Sequence, residues 1–347
     1  MGRRVLITGL GAFWGGHMAR ALEADPSVDV IVGIDTDDPS VQLERTEFVR
    51  CDDSYSILAR LVRATQVDTV VHAGLVVNSA LMPDRRLHEK NVIGTMNLLA
   101  ALGADQSRVT NLVVKSSALV YGASMEDPTW FREETPRSRP PRTRMEKSLL
   151  EAEDYIRTFA EEFSSVKVAV LRFANVLGED LVTLFSRALS LPLAPTIAGY
   201  DPQLQFVEQD DVVRAMEFCI RHELEGVYNV AGDGRLPWSE VRAIAGHPPL
   251  YISPVMTEMA AAALRRAGLI TLPREALDLL RYGRGIDNRK LKRAGFEYRH
   301  TSAGAVRHFV ETRRLRRVVG AQPAYRYEGD VESFFRRSPA VVHQPSP

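Results

Sequence analysis

The stretch Val5-Leu-Ile-Thr-Gly-Leu-Gly-Ala-Phe-Trp-Gly-Gly-His17 decides the fold, because a short apolar run leads directly into closely spaced glycines. A strand is predicted over Val5–Thr8 and a helix over Gly15–Glu23. A glycine-rich turn between a strand and a helix is the context that a dinucleotide site requires. In that context Gly9 makes the tight turn, and Gly15 lets the helix pack closely on the strand.

The start of the predicted helix is the expected position of a pyrophosphate, because free N–H groups and the positive end of the helix dipole attract anions. The candidate cofactor ligands in this turn are Gly11, Ala12, Phe13 and Trp14. Ala12 occupies the place of a middle glycine, and its methyl group narrows the approach to phosphate.

A carboxylate ends the next predicted strand, Val28–Asp35. Asp35 lies twenty residues beyond Gly15, where an acid can bond both ribose hydroxyls of an adenosine. Because a carboxylate repels a 2′-phosphate, the pattern predicts NAD rather than NADP as the cofactor. Asp37 and Asp38 add negative charge, although a solvated acidic turn is the simpler explanation for them.

Short apolar runs alternate with helical patterns through the first half of the sequence. Further strands are predicted over Thr69–Ala73, Leu112–Ser116 and Val166–Arg172, and further helices over Ser56–Thr65, Asn91–Leu102 and Lys147–Glu162. Continuous apolar strands between helices indicate a parallel sheet that is covered on both faces. The sequence therefore predicts a doubly wound α/β domain of the Rossmann type.

The alternation stops after Val176, where segments rich in Pro and Ala begin. We expect a smaller α+β domain there, which binds the substrate. The expected NAD-binding domain is 1–175 with a returning segment at about 204–231, and the substrate-binding domain is 176–203 and 232–320. Residues 321–347 are expected to form a partly disordered tail.

The composition argues against several functions. The 44 Lys and Arg residues balance 44 Asp and Glu, so we expect no nucleic-acid partner bound through bulk charge. No segment reaches the ~20 consecutive apolar residues that span a membrane, so no membrane partner and a cytoplasmic location are expected. Two cysteines are too few for a disulfide framework or a four-ligand zinc site, and no metal site is expected.

Eight later segments, in order along the chain, resemble motifs of one family. They are Phe48–Asp52, Val70–Gly74, Asn91–Leu99, Lys115–Gly122, Leu171–Gly178, Phe206–Ala215, Val227–Gly232 and Arg284–Leu291. With the glycine-rich turn, they resemble the extended short-chain dehydrogenase/reductases, in particular the NAD-dependent epimerase/dehydratase family and its UDP-glucose 4-epimerase-like branch. The resemblance implies NAD, a small hydroxylated and anionic substrate such as a nucleotide sugar, and a homodimer.

The resemblance also assigns roles to single residues. It places Asp52 at the adenine, and it places further residues near the cofactor, namely His72, Ala73, Gly74, Asn91 and Ser116. Asn175 is expected to hold the substrate nucleotide, and Arg284 lies in the segment that closes the substrate pocket. Ser117 stands where the family has its catalytic Ser or Thr.

The family's reaction depends on a Tyr-x-x-x-Lys pair on one helix face, in which the Tyr takes the substrate proton. Lys147 stands at the expected distance from Ser117 and is one of only six lysines, so we expect it to hold the nicotinamide ribose. A solvated lysine on the helix surface is the alternative. Four residues before Lys147 stands Thr143, whose hydroxyl does not ionise near neutral pH. Loss of a positioned base lowers a rate by ~10²–10⁴.

Three explanations of this substitution stay open at the sequence level. Another group replaces the Tyr, with Glu146, Arg144 or a water held by Thr143 and Ser117 as candidates. Alternatively, the substrate needs no strong base. In the third explanation the protein is a redox-silent NAD sensor or partner protein. A non-sugar specialised metabolite is a further alternative for the substrate.

The loop Trp130–Arg144 carries five arginines, at positions 132, 137, 139, 142 and 144. It separates the Ser117 strand from the Lys147 helix, so we expect it to border the pocket. Guanidinium groups suit an anionic substrate, and Arg144 is a candidate ligand. A solvated loop is the alternative.

Overall fold

The computed structural model describes residues 2–79 and 82–319, with side chains described to residue 314. The expected tail, 321–347, lies outside these residues. The first half contains β1 (Arg3–Thr8), α1 (Phe13–Glu23), β2 (Val28–Asp35), β3 (Glu47–Arg50), α2 (Tyr55–Thr65), β4 (Thr69–His72), α3 (Asp84–His88), α4 (Gly94–Leu102), β5 (Asn111–Ser117), α5 (Arg144–Glu162) and β6 (Lys167–Phe173). A π-helical turn, Glu89–Ile93, leads into α4, and a 3₁₀ turn, Ala118–Tyr121, follows β5.

The second half has shorter and more irregular elements. It contains β7 (Asn175–Leu177), α6 (Leu184–Ala188), β8 (Ala194–Ile197), β9 (Gln203–Leu204), β10 (Phe206–Glu208), α7 (Gln209–Arg221), β11 (Gly226–Val230), β12 (Leu236–Pro237), α8 (Trp238–Ala245), β13 (Pro249–Ile252), α9 (Thr257–Arg266), α10 (Arg274–Tyr282), α11 (Arg289–Arg293) and α12 (Ser302–Val319).

Seven parallel strands form the main sheet, in the order β11-β6-β5-β4-β1-β2-β3. The register pairs Thr8 with His72 and His72 with Val114, so the central strands end at nearly the same level. The chain reverses its direction of winding between β1 and β4. A crevice opens at such a reversal, beside the carboxyl ends of the strands.

Helices cover both faces of this sheet. Residues of α1 and α7 pack on one face, around Met18, Val113 and Leu171. Residues of α2, α4 and α5 pack on the other, around Leu58 and Leu112. The predicted doubly wound α/β fold is confirmed. The structure adds β3 at one edge of the sheet, for which the sequence predicted no strand.

The C-terminal part is a smaller α+β unit with its own core around Phe185, Phe206 and Trp238. Of the returning segment expected at about 204–231, only β11 joins the main sheet, beside β6. Strands β9 and β10 instead pair with β12 and β7 in two-stranded sheets. The residue boundaries expected for the two domains stay a prediction. Within the described ranges, no helix combines the length and apolarity needed to cross a bilayer.

Candidate cofactor and substrate site

A cavity of about 370 Å³ lies at the carboxyl ends of the strands. One end is formed by the glycine-rich turn before α1 and by the end of β2. The other end is formed by residues that follow β6 and by α10 of the C-terminal part. Ten of the expected site residues line it: Gly11, Ala12, Phe13, Trp14, Asp35, Gly74, Ser116, Ser117, Asn175 and Arg284.

The glycine positions of this turn leave no room for a Cβ atom. Gly9 has a φ of 75°, and a Cβ on Gly11 would lie 2.5 Å from the main-chain oxygen of Asp37. A Cβ on Gly15 would lie 2.1 Å from the main-chain oxygen of Gly9, so helix and turn are in direct contact. Gly9 and Gly15 therefore shape the cavity without lining it.

The first turn of α1 offers unsatisfied N–H groups to the cavity. Ala12 is its N-cap, makes no side-chain cap hydrogen bond, and is followed by no acid in the first helical turn. Phe13 and Trp14 begin the helix and line the cavity. A pyrophosphate fits this end of the site, because it can accept these N–H groups and sit at the positive end of the dipole.

Asp35 lies beside this turn, with its side chain 4% exposed. Its carboxylate accepts hydrogen bonds from the main-chain N–H of Gly11 (3.1 Å) and of Thr36 (2.7 Å). Lys90, in the π-helical turn before α4, approaches the same carboxylate to 3.1 Å. Lys90 lies 55 residues from Asp35 along the chain, so no local pattern in the sequence predicts this pair.

The structure does not place Asp52 and His72 in the cavity. Asp52 is exposed, and its carboxylate accepts from the main-chain N–H of Ser54 at 3.3 Å. His72 is buried between the hydroxyls of Thr8 (2.6 Å) and Thr95 (3.0 Å). Burial first, and then the nearby lysine charges, lower the pKa of His72 to about 3. The imidazole is therefore neutral and tied to the sheet.

Ala73 and Asn91 also lie behind the cavity wall. Ala73 is buried, and Asn91 holds the loop after β4 through both main-chain groups of Val76, at 2.7 and 2.8 Å. That loop lines the cavity, starting at Gly74. Asn91 positions the wall and does not form it.

Two neighbouring serines end β5 and reach the cavity differently. Ser116 donates to the carboxylate of Glu153 on α5, which also binds Arg172. Ser117 accepts only a 3.2 Å bond from the main-chain N–H of Leu119 among the described residues. The Ser117 hydroxyl is therefore the one with donor capacity left for a ligand.

The start of α5 differs from the expected arrangement. Thr143 is the N-cap of α5, and its hydroxyl accepts the N–H of Glu146 at 3.2 Å, while the Glu146 carboxylate accepts the N–H of Thr143 at 3.4 Å. This reciprocal capping box satisfies helix-end donors. Glu146 is also paired with Arg137 at 3.2 Å. Thr143 and Glu146 do not line the cavity.

Lys147 does not line the cavity. It is exposed, whereas its neighbours Met145, Glu146 and Ser148 are buried. Lys147 therefore lies on the exposed face of α5. Nothing in this geometry brings Lys147 to a nicotinamide ribose, contrary to the expectation from its spacing.

Besides Lys90, two further ionisable groups of the cavity were not predicted from the sequence. Lys115 on β5 lines it and is 3% exposed, and burial lowers its pKa to about 7 with a further contribution from Lys90. Glu275 on α10 also lines the cavity. Burial raises the pKa of its carboxyl group, and this effect outweighs the hydrogen bonds from Ser79 and Thr143, which lower the pKa. A charged residue directly after the apolar run Leu112–Val114, within the predicted strand, was the available signal for Lys115.

Two of the three expected substrate ligands line the far end of the cavity. The amide of Asn175 donates to the main-chain oxygen of Gln205 at 2.8 Å, and Arg284 donates to that of Gly122 at 2.8 Å. Burial lowers the pKa of Arg284 to about 10, so it remains a cation at neutral pH. Arg144 lies outside the lining; it is largely exposed and pairs with Asp84 at 3.4 Å.

Carboxylates neutralise the arginines of the loop before α5. The five pairs are Arg132–Asp287, Arg137–Glu146, Arg139–Glu126, Arg142–Asp278 and Arg144–Asp84. The positive charge expected from this arginine-rich loop is thus balanced by acids. Among the described residues, Arg284 is the arginine that lines the cavity. Within the same part of the chain, no cluster of three or more His, Cys, Asp or Glu side chains could hold a metal ion.

This fold and this site define the class of protein. Residues 5–231 match the NAD dependent epimerase/dehydratase family. The chain belongs to that family, and its cofactor is NAD. The glycine-rich turn, the uncapped start of α1 and Asp35 fit this dinucleotide, as described above.

The chain is similar to known proteins over most of its length. An uncharacterised protein of Mycobacterium tuberculosis is 33% identical over 332 residues, which cover 94% of this chain and 88% of that protein. A dTDP-glucose 4,6-dehydratase of Streptomyces venezuelae, solved with NAD and TYD bound, superimposes with a TM-score of 0.69 at 22% identity, covering 91% of this chain and 98% of that one. The UDP-glucose 4-epimerase of Thermotoga maritima, solved with UDP-glucose, has a TM-score of 0.68 at 18% identity, with coverages of 91% and 100%. The two structures share the fold.

Proposed function

We propose that this protein is an NAD-dependent oxidoreductase of the epimerase or dehydratase type, acting on a nucleotide sugar or a similar hydroxylated substrate. The observation that carries the proposal is one continuous cavity joining a dinucleotide-type turn to a hydroxyl and a guanidinium. The turn contributes Gly11 and Asp35, and the far end contributes Ser117, Asn175 and Arg284. Family membership and the two structural neighbours support the same reaction class.

In this proposal each residue has a distinct task. NAD, when bound, accepts a hydride from a carbinol carbon. The first turn of α1 holds the pyrophosphate, and Asp35 accepts the adenosine ribose hydroxyls. Ser117 orients the substrate hydroxyl. Asn175 and Arg284 hold the nucleotide portion, whose phosphates suit a guanidinium fork.

The site is atypical, since the family's Tyr has no counterpart at Thr143. We propose that Thr143 serves the fold by capping α5 and does not act on the substrate. The same holds for Glu146 and Arg144, the other sequence candidates, because both are engaged outside the cavity. A group that moves the substrate proton must therefore come from the cavity lining itself. The alternative is an NAD-binding, redox-silent sensor or partner protein.

Turnover with defined sugar nucleotides tests the proposal. Purified protein is incubated with NAD and UDP-glucose, UDP-glucuronic acid or dTDP-glucose, and products are identified by NMR and mass spectrometry. We expect an epimer or a keto-sugar from at least one substrate, with loss of turnover in Ser117→Ala. Tight NAD binding without conversion of any of these substrates would instead support the sensor or a non-sugar substrate.

We also propose that the protein forms a homodimer through α4 and α5 and works in the cytoplasm. Three apolar side chains on this side are exposed: Ile93 (42%), Met96 (38%) and Tyr155 (42%). Burying them against a second copy would remove apolar surface from water. Light scattering should give a dimer, and Met96→Glu should shift it to the monomer.

A further inference from the structure

Lys115 lies within a fully buried strand, directly after three apolar residues. Every residue of β5 is buried, and Lys115 follows Val113 and Val114 with only 3% of its surface exposed. A charged ammonium in such a position is unfavourable unless a carboxylate or several hydrogen bonds compensate for the lost water. The chain retains a lysine here, although it has only six in total.

Lys115 has no carboxylate partner among the described residues. Its ammonium group donates to the main-chain oxygen of Leu75, near the start of the loop after β4. Three of the other lysines have carboxylates: Lys90 pairs with Asp35, Lys167 with Glu223 and Lys292 with Asp233. The neighbouring charge that acts on Lys115 is the cation Lys90, and His72 beside it is neutral.

The cavity holds few other charges that can act on Lys115. They are Asp35 and Asp37 at the cofactor end, Lys90 beside them, and Glu275 and Arg284 at the substrate end. Asp35 is already paired with Lys90. Burial therefore dominates at Lys115, and its pKa is about 7. A substantial fraction of the side chain is then a neutral amine at neutral pH.

The amine shares a cavity with the hydroxyl of Ser117. Side chains alternate along a strand, so residues 115 and 117 point to the same face of β5. Both line the cavity, as does Leu75, the acceptor of the Lys115 hydrogen bond. Proton transfer needs a group that is within hydrogen-bond reach of the reacting oxygen and titrates near the working pH. Lys115 combines a cavity position with a free base form.

We propose that Lys115 is the catalytic base of this site and takes the place of the missing tyrosine. The neutral amine at Nζ accepts the proton of the substrate hydroxyl that Ser117 orients, as the C–H hydride passes to NAD. The substrate C–OH becomes C=O, and Nζ becomes an ammonium. In the return direction the ammonium gives the proton back. The proposal rests on the proposed function, because it names the base of that reaction.

Glu275 is the competing group in the cavity wall. Its carboxylate already accepts a hydrogen bond from Ser79, and Thr143 donates to it as well. A carboxylate that accepts such hydrogen bonds is a weaker base than a free amine. Glu275→Gln therefore serves as the matched comparison, and it should retain most of the turnover that Lys115→Met loses.

Lysine NMR tests the assignment without any substrate. With ¹³C- and ¹⁵N-labelled lysine, the six residues give six side-chain signals. One should titrate near pH 7, disappear in Lys115→Arg, and shift when NAD is added. A titration midpoint of ~10.4 for the Lys115 signal, or a Lys115 signal that does not shift when NAD is added, overturns the proposal.

Chemical rescue tests the role in turnover. Lys115→Ala should lose about 10²–10⁴ in kcat with unchanged NAD affinity by calorimetry. Added ethylamine should restore part of the rate, and the acidic limb of the pH profile should move toward the pKa of that amine. Retained turnover in Lys115→Ala, or rescue by ethylamine in Ser117→Ala as well, overturns the assignment and leaves the proposed function standing. If the wild-type protein converts no sugar nucleotide, the proposed function fails and the assignment fails with it.

Discussion

The ammonium group of Lys90 lies 3.1 Å from the carboxylate of Asp35, inside the cavity that fits the dinucleotide. The carboxylate is 4% exposed and the lysine side chain 25% exposed, so this is a largely desolvated pair. The carboxylate also accepts hydrogen bonds from two main-chain N–H groups and from the hydroxyl of Thr36. The acid that we propose as the ligand of the ribose hydroxyls is thus held in place by a cation from the turn before α4. This cation also moderates the repulsion that Asp35 exerts on a 2′-phosphate.

Asp35→Asn should change the cofactor preference from NAD to NADP. Loss of the charged acceptor weakens the ribose hydrogen bonds, which are worth about 1.5–3 kcal/mol each when one partner is charged. NAD affinity should fall about 10–100-fold. NADP affinity should rise, because Lys90 is then available to a phosphate. Calorimetric titration of both cofactors measures the two changes.

Asp37→Asn is the matched control, because it removes the same charge from the same cavity end. Asp37 is exposed, and no described hydrogen bond holds its carboxylate in place. It should change both affinities by a similar small factor. If Asp37→Asn alters the ratio of NAD affinity to NADP affinity as strongly as Asp35→Asn does, the selectivity comes from the net charge of the turn.

The capping box of Thr143 and Glu146 predicts a stability effect at the expected position of the catalytic tyrosine. Thr143→Ala should lower the free energy of unfolding by about 1 kcal/mol, and Thr143→Ser should restore most of it. Denaturant titration provides the measurement. Thr143→Tyr should be destabilised like Thr143→Ala and should not raise turnover, because position 143 lies outside the cavity. A faster Thr143→Tyr enzyme would show that the tyrosine can reach the substrate.

The strands and helices of the sheet were predictable because their residues carry a strong local pattern. The predicted Val28–Asp35 coincides with β2, and the predicted Ser56–Thr65 differs from α2 by one residue. The short edge strand β3 was missed, since four residues give little periodicity. The cofactor end was predictable for the same reason, as Gly11 and Asp35 are local signals.

The residues expected to carry catalysis were less predictable, because their placement depends on the rotation of side chains about a helix axis. Spacing from Ser117 favoured Lys147, but a helix turns by about 100° per residue, so a small shift in register moves a side chain to another face. In the structure Lys147 is exposed and Ser148 is buried against Asn91. Lys115 and Lys90 contact residues distant in the sequence, Leu75 and Asp35, which only the fold brings close to them.

Burial of Lys115 predicts how stability depends on pH. Its pKa is about 7 in the folded protein and ~10.4 in an unfolded chain, so between these values the unfolded chain binds more protons. The free energy of unfolding should therefore rise with pH by up to about 1.4 kcal/mol per unit from pH 7 toward pH 10. Below pH 7 both states are protonated, and this penalty to the folded state is constant.

The comparison of Lys115→Met with Lys147→Met isolates this contribution. Lys115→Met should lose the pH-dependent slope, so the wild-type protein gains stability relative to it between pH 7 and 9. Lys147 is exposed, and its replacement should leave the slope unchanged. Denaturant titrations at several pH values provide the data. Parallel curves for wild type and Lys115→Met would mean that Lys115 titrates normally.

Arg284 should contribute to substrate affinity and not to cofactor affinity. Its guanidinium lines the far end of the cavity and is held by the main-chain oxygen of Gly122 at 2.8 Å. Arg284→Met should weaken binding of a sugar nucleotide about 10–100-fold, the value of one charge-assisted contact, with NAD affinity unchanged. Arg144→Met removes the same charge from an exposed site outside the cavity and should leave both affinities unchanged. Equal losses in the two variants would mean that the anion is attracted by the overall charge of this face, and Arg284 would then have no specific contact with it.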